Sequence, residues 1–147
     1  MTAMNDTLDV TREPPKPRSH SLPYWEGTRE KKLLVQYCRR TGRYQFFPRP
    51  TSIYTGRRDL EWREVSGKGK VFTYTVARRA RDPLRGHEPF LIAVVTLDDA
   101  NVNVMANVVH CKLEEMKIGL PMKPYWMPLA NGTHLLMFEP DREAGAA

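Results

Sequence analysis

The sequence predicts a mainly β protein, in which an N-terminal helix and a small hairpin unit precede a five-stranded Greek-key barrel. Three observations carry this reading. From Lys70 onward, five segments rich in β-branched and aromatic residues are separated by turn signals. One of them, residues 102–109, alternates cleanly: Val102, Val104, Ala106 and Val108 face one way, and Asn101, Asn103, Met105 and Asn107 the other. A short helical turn over residues 111–117, closed by Gly119, falls between the third and fourth strands, where an oligonucleotide/oligosaccharide-binding (OB) barrel places its helix. On pattern alone a β-sandwich competes with the barrel.

Each element has a local reason. Residues 1–21 carry Pro14, Pro15 and Pro17 among small and polar residues without periodicity, and read as a disordered arm. Ser21 as N-cap and Pro23 soon after it start a helix over residues 22–32, which Gly27 weakens by about 1 kcal/mol relative to Ala. Tyr24, Trp25, Thr28 and Lys32 follow helical spacing. The adjacent aromatics anchor the helix to the body or dock a partner protein. Residues 33–38 and 44–47 read as a hairpin across Arg39-Arg-Thr-Gly42, stopped by Pro48 and Pro50. A loop over 51–58 precedes a strand at 60–65, and Gly67-Lys-Gly69 reads as a linker or bulge. The barrel strands fall at 70–79, 90–97, 102–109, 123–127 and 134–138. Asp98-Asp99 forms a solvated tip, and Asn131-Gly132 is a turn pair suited to positive φ. The units are thus a 1–21 arm, a 22–33 helix, a 34–66 hairpin unit, a 67–141 barrel and a 142–147 tail.

Composition narrows the class. A chain of 147 residues, 41% hydrophobic and 27% charged, makes one globular domain or one domain with an appendage. No apolar run approaches the roughly 20 residues of a membrane-spanning helix. The first twenty residues lack the basic start and apolar stretch of a secretory signal. Two cysteines, Cys38 and Cys111, exclude a disulfide scaffold and a four-cysteine zinc site, and suit a reducing cytoplasm. The net charge of +6 is uneven: residues 29–85 hold 16 Lys/Arg against 5 Asp/Glu, whereas 1–28 come to −1 and 86–147 to −4. A basic middle calls for an anionic partner or ligand.

A series of short motifs runs from Tyr24 to Pro140, among them Tyr24-Trp-Glu-Gly27, Phe46-Phe-Pro-Arg49, Asp59-Leu-Glu-Trp62, Val65-Ser-Gly-Lys-Gly69, Val71-Phe-Thr-Tyr-Thr75, Ile118-Gly-Leu-Pro-Met122 and Phe138-Glu-Pro140. In these motifs, which span roughly four-fifths of the chain in order, the chain resembles the zinc-ribbon plus OB-fold proteins that accompany thiolases and other acyl-CoA enzymes, a domain of unknown function, number thirty-five. The resemblance implies a rubredoxin-like ribbon whose two Cys-x-x-Cys pairs hold structural zinc. This chain departs there: the four positions read Cys38, Thr41, Ser52 and Thr55. Neutral hydroxyls do not replace thiolates, so the expectation is a zinc-less ribbon filled instead by Tyr37, Tyr44, Phe46, Phe47, Ile53 and Tyr54.

No catalytic constellation stands out. His20, His87, His110 and His134 are dispersed, and His110 beside Cys111 and Glu114 is not a nucleophile–base arrangement. The resemblance implies a non-catalytic accessory subunit that docks on a thiolase-like or hydratase enzyme and helps bind acyl-CoA in lipid or steroid metabolism. No tightly bound cofactor and no membrane contact are expected. Arg78, Arg79, Arg81 and Arg85 suit the phosphates of coenzyme A, with Lys68 and Lys70 as a second group. Tyr24, Trp25, Arg39, Arg40 and Arg43 are the expected partner-docking set. Single-stranded nucleic acid on Phe72 and Tyr74 is the rival reading, disfavoured by the concentration of charge in the ribbon.

Overall fold

Helix α1 (Leu22–Arg29) starts with Pro23 in its first turn. Ser21 occupies the N-cap, but its hydroxyl donates to Arg18 O at 3.1 Å and caps no helical N–H. The helix ends three residues before the expected Lys32, because Lys31 takes a left-handed φ of 57°. Lys32 N then donates to Gly27 O and Lys31 N to Thr28 O, which satisfies the last carbonyls. Gly27 serves close approach, since a Cβ there would stand 2.9 Å from Leu34 Cγ on the next strand.

This computed structural model describes Leu8 and residues 10–144. After α1, β1 (Leu33–Cys38) lies between β2 (Arg43–Gln45) and β3 (Leu60–Val65) in an antiparallel sheet ordered β2-β1-β3. Tyr37 faces Tyr44 across the β1–β2 pair with ring centroids 5.0 Å apart, and the Arg63 guanidinium lies over the Tyr37 ring at 3.5 Å. The β2 strand stops at Gln45, short of the expected Phe47, because side chains replace the ladder there. Gln36 and Gln45, 4% and 2% exposed, bond each other at 3.0 Å. Gln36 also accepts from Arg49 N and donates to Arg49 O, and Gln45 accepts from Ile53 N and donates to Thr51 O. The expected filling of the ribbon is realised in part: Tyr37, Tyr44, Phe46 and Tyr54 are half-buried, whereas Phe47 and Ile53 are 61% and 57% exposed.

Strands β4 (Gly69–Ala77), β5 (Phe90–Leu97), β6 (Asn103–Val108), β7 (Pro121–Pro128) and β8 (His134–Pro140) close into a barrel in the order β4-β5-β6-β8-β7. The ring shuts where Gly69 and Lys70 pair with Met122 and Pro121. A 3-10 turn (Leu113–Glu115) sits between the third and fourth barrel strands, as expected of an OB fold. Inside, Leu91, Val95, Val108 and Phe138 are fully buried, and Leu33, Val35 and Val65 of the ribbon join the same cluster. Ribbon and barrel therefore share one core. The β7–β8 connection is longer than a two-residue turn, with Pro128 paired to His134 and only Gly132 at positive φ. Asn131 Oδ1 instead accepts from Thr133 N and Oγ1. Of the expected arm, residues 1–7 and 9 lie outside the described residues. Leu8 is buried with Phe90, Val109 and Met137, and Arg12 donates to Asn107 Oδ1 at 3.2 Å.

Replacing Gln45 by Ala strands Ile53 N and Thr51 O in the ribbon interior. We expect a loss of about 3 kcal/mol in urea unfolding, with the barrel intact by circular dichroism. Unaltered stability would show that the amide pair does not hold the loop.

Candidate functional site

The four positions of the metal knuckle do converge. Ser52 Oγ donates to Cys38 Sγ at 3.2 Å, and Thr55 follows on the same tight loop, its N donating to Ser52 Oγ. The hydroxyls of Ser52 and then Thr41 hold the Cys38 thiol down to about 7 from the ordinary 9.0. Thr55 Oγ1 is already committed, donating to Asp59 Oδ2 at 3.0 Å and accepting from Arg57 N. One thiol and three hydroxyls, engaged with each other and with the backbone, do not fit the tetrahedral thiolate set that Zn²⁺ takes. Among the described residues no group of three or more His, Cys, Asp or Glu side chains could hold a metal.

The expected docking residues divide. Tyr24 is buried, 8% exposed, and its phenol is pushed up to about 12 by that burial. It therefore anchors α1, and it also contributes to the wall of the groove beside Trp25. Trp25 stands edge-on to it, with centroids 5.1 Å apart, and is only half-buried. It lines an apolar groove of about 340 Å³ between helix, ribbon and barrel, together with Phe46, Phe47, Met105 and Leu135. Phe47 and Met105 are 61% and 66% exposed on its walls. Arg39, Arg40 and Arg43 are exposed on the ribbon, Arg40 near Asp59 at 3.7 Å and Arg43 over the Tyr54 ring at 4.4 Å.

The expected anion-binding residues do not form one site. Lys68 and Lys70 sit at the start of β4, facing Asp141 at 3.8 Å and Asp98 at 3.9 Å. Arg78, Arg79, Arg81 and Arg85 lie beyond its other end, all exposed, in the segment leading to β5. The strand between Lys70 and Arg78 separates the two groups by roughly 25 Å. Arg85 lies 4.0 Å from Asp82, while Arg78, Arg79 and Arg81 have no ion pair among the described residues. Phe72 and Tyr74, 59% and 37% exposed, lie between the two basic groups.

Sequence reading missed the polar cluster around the barrel's far edge. His110 Nδ1 meets Glu139 Oε2 at 2.9 Å, with Lys123 also on Glu139 at 3.7 Å, rather than Cys111 or Glu114. Arg142 grips both oxygens of Glu115 at 3.0 Å and holds that carboxyl down to about 2. Cys111 beside it is driven up to about 12, chiefly by burial. No local spacing signals these pairs, which span 29 and 27 residues.

A ribbon whose four knuckle positions do not fit Zn²⁺ shares one core with an OB barrel, and an apolar groove lies at their junction. Two family models match the chain: the ChsH2 rubredoxin-like zinc ribbon domain over residues 25–51 and the ChsH2 C-terminal OB-fold domain over residues 62–127. The chain is 33% identical over 100 residues to a DUF35 domain-containing scaffold protein of Pyrococcus furiosus, covering 68% of this chain and 73% of that one. A protein of the same description from Methanocaldococcus jannaschii is 30% identical over 102 residues, covering 67% and 71%. This chain belongs to the family of DUF35 domain-containing scaffold proteins. A probable enoyl-CoA hydratase alpha subunit of Thermomonospora curvata is 25% identical over 117 residues, which are 80% of this chain but 36% of that protein. Among solved structures, the Ltp2-ChsH2(DUF35) aldolase superposes with a TM-score of 0.75 at 24% identity, covering 86% of this chain and 98% of that one. A DUF35 protein from Sulfolobus solfataricus superposes with 0.59 at 15%, covering 84% and 86%. No helix among the described residues is long and apolar enough to cross a membrane.

Two outcomes follow from the knuckle. Installing Thr41→Cys, Ser52→Cys and Thr55→Cys together completes four thiolates, so the variant should purify with about one Zn²⁺ per chain where the parent has none by elemental analysis. Because the folded state holds the Cys38 thiolate more readily than the unfolded chain, folding releases protons between the two titrations. The stability difference between the parent and Cys38→Ala should therefore grow as pH rises from about 7 to 9, read from urea midpoints. A difference independent of pH would contradict the hydroxyl–thiol bonding.

Proposed function

We propose that this chain is a non-catalytic accessory scaffold subunit that docks on a thiolase-like or hydratase enzyme and helps hold its acyl-CoA in lipid or steroid metabolism. The observation that carries the reading is the apolar groove at the junction of helix, ribbon and barrel, with Phe47 and Met105 turned outward on its rim. Large apolar side chains exposed together mark protein contact surfaces. Trp25 is the aromatic anchor there, and the exposed ribbon arginines Arg39, Arg40 and Arg43 offer a second, positively charged contact away from the groove. Relatives described as scaffold proteins support the accessory role, and the match to a hydratase alpha subunit, where the shared region is a minor part of a longer chain, supports the kind of partner.

For the coenzyme, the exposed Arg78, Arg79 and Arg81 suit phosphate oxygens, because a guanidinium fork pairs with them bidentately. Lys68 and Lys70, already facing carboxylates, are the weaker group.

Co-expression with a thiolase-like or hydratase enzyme from the same organism tests the docking. Trp25→Ala should lower recovery of the partner about tenfold, the loss typical of an aromatic hot spot, while circular dichroism stays unchanged. Undiminished recovery of the partner would remove Trp25 and its groove from the interface.

A further inference from the structure

A guanidinium with no counter-ion among the described residues heads a second apolar cavity. Arg12 lies in the extended N-terminal segment and is half-buried. Its Nη2 donates to Asn107 Oδ1, its Nε is buried with no hydrogen-bond partner, and no carboxylate among the described residues pairs with it. The cavity, of about 320 Å³, is walled by Leu84, Ile92, Met105 and Leu135, and Arg12 and Asn107 are its polar side chains. A half-buried cation held by one amide oxygen, with its Nε shielded from water and unpaired, is stabilised by an anion that reaches its remaining donors.

The lining selects which anion. One guanidinium matches one negative charge, and a phosphate carrying two would remain half-neutralised among apolar walls. The volume is at the lower end for small-molecule sites, which begin near about 300 Å³. We propose that this cavity binds an unbranched aliphatic monocarboxylate, its carboxylate on Arg12 and its chain along Leu84, Ile92 and Met105. Such a ligand is a free acid, chemically distinct from an acyl thioester, whose acyl end bears no charge. The site shares Met105 and Leu135 with the docking groove but goes beyond the docking reading, and ligand binding to the chain alone is read without any partner, so the two fail separately.

Calorimetric titration of the full chain with decanoate, decanol and decylammonium tests the proposal. Decanoate should bind about tenfold or more tightly than decanol, the contribution of a charge-assisted hydrogen bond, with decylammonium weakest. Arg12→Gln should bring decanoate down to the level of decanol. Met105→Asp, at a side chain 66% exposed and so tolerant of change, should weaken decanoate by placing a like charge on the wall while the far-ultraviolet spectrum is kept. Absence of decanoate binding, equal binding of acid and alcohol, or decanoate affinity indifferent to both substitutions would overturn the proposal.

Discussion

Two buried amides set the shape of the ribbon. Gln36 and Gln45 bond each other and then take up the backbone of Arg49, Thr51 and Ile53, so the loop after β2 is fixed by side chains and not by a strand ladder. A buried amide is favourable only when its donors and acceptors are engaged, which makes such a network specific as well as stabilising. In a zinc ribbon the metal closes this region. Here the closure is made of hydrogen bonds, with Ser52 on Cys38 as the residue of the old knuckle. Once the loop is placed, Phe46 falls against Tyr24 at 6.0 Å and Phe47 is left outward. The apolar junction groove is a consequence of that placement.

A shared apolar core makes the ribbon an extension of the barrel. Leu33, Val35 and Val65 enter the cluster that contains Leu91, Val95 and Phe138, so there is no flexible joint between the two parts. Tyr24 adds the helix to this core. A surface assembled from three elements keeps its geometry only if all three are tied to one interior, which is the case for the Trp25 groove.

Much of this was legible from the residues. Strict alternation over 102–109 gave β6 its two faces, and Val104 and Val108 are buried where Met105 and Asn103 are exposed. The position of the 3-10 turn between barrel strands was equally readable. What failed was non-local. The helix stop at Lys31 carries no glycine or proline signal, since the left-handed turn is enforced by bonds back to Gly27 and Thr28. Glutamine in a strand looks like a solvent residue until its partner is known, so the Gln36–Gln45 pair left no trace. The N-terminal segment read as featureless because Leu8 and Arg12 find their contacts about a hundred residues away. The basic residues were readable by type but not by place: a single extended strand keeps Lys70 and Arg78 at opposite ends.

Helix α1 is stitched to the β7–β8 hairpin as well as packed on it. Thr28 Oγ1 accepts from His134 N while donating to Trp25 O, Thr28 O receives the His134 Nδ1 proton, and Arg29 reaches Asn131 O at 2.6 Å. Any pull on the indole of Trp25 is therefore relayed by its own carbonyl, through one threonine hydroxyl, into the hairpin at the barrel's end. A seam of this kind lets a large neighbour tug on the helix without peeling it away, because the pull is shared with the β7–β8 hairpin.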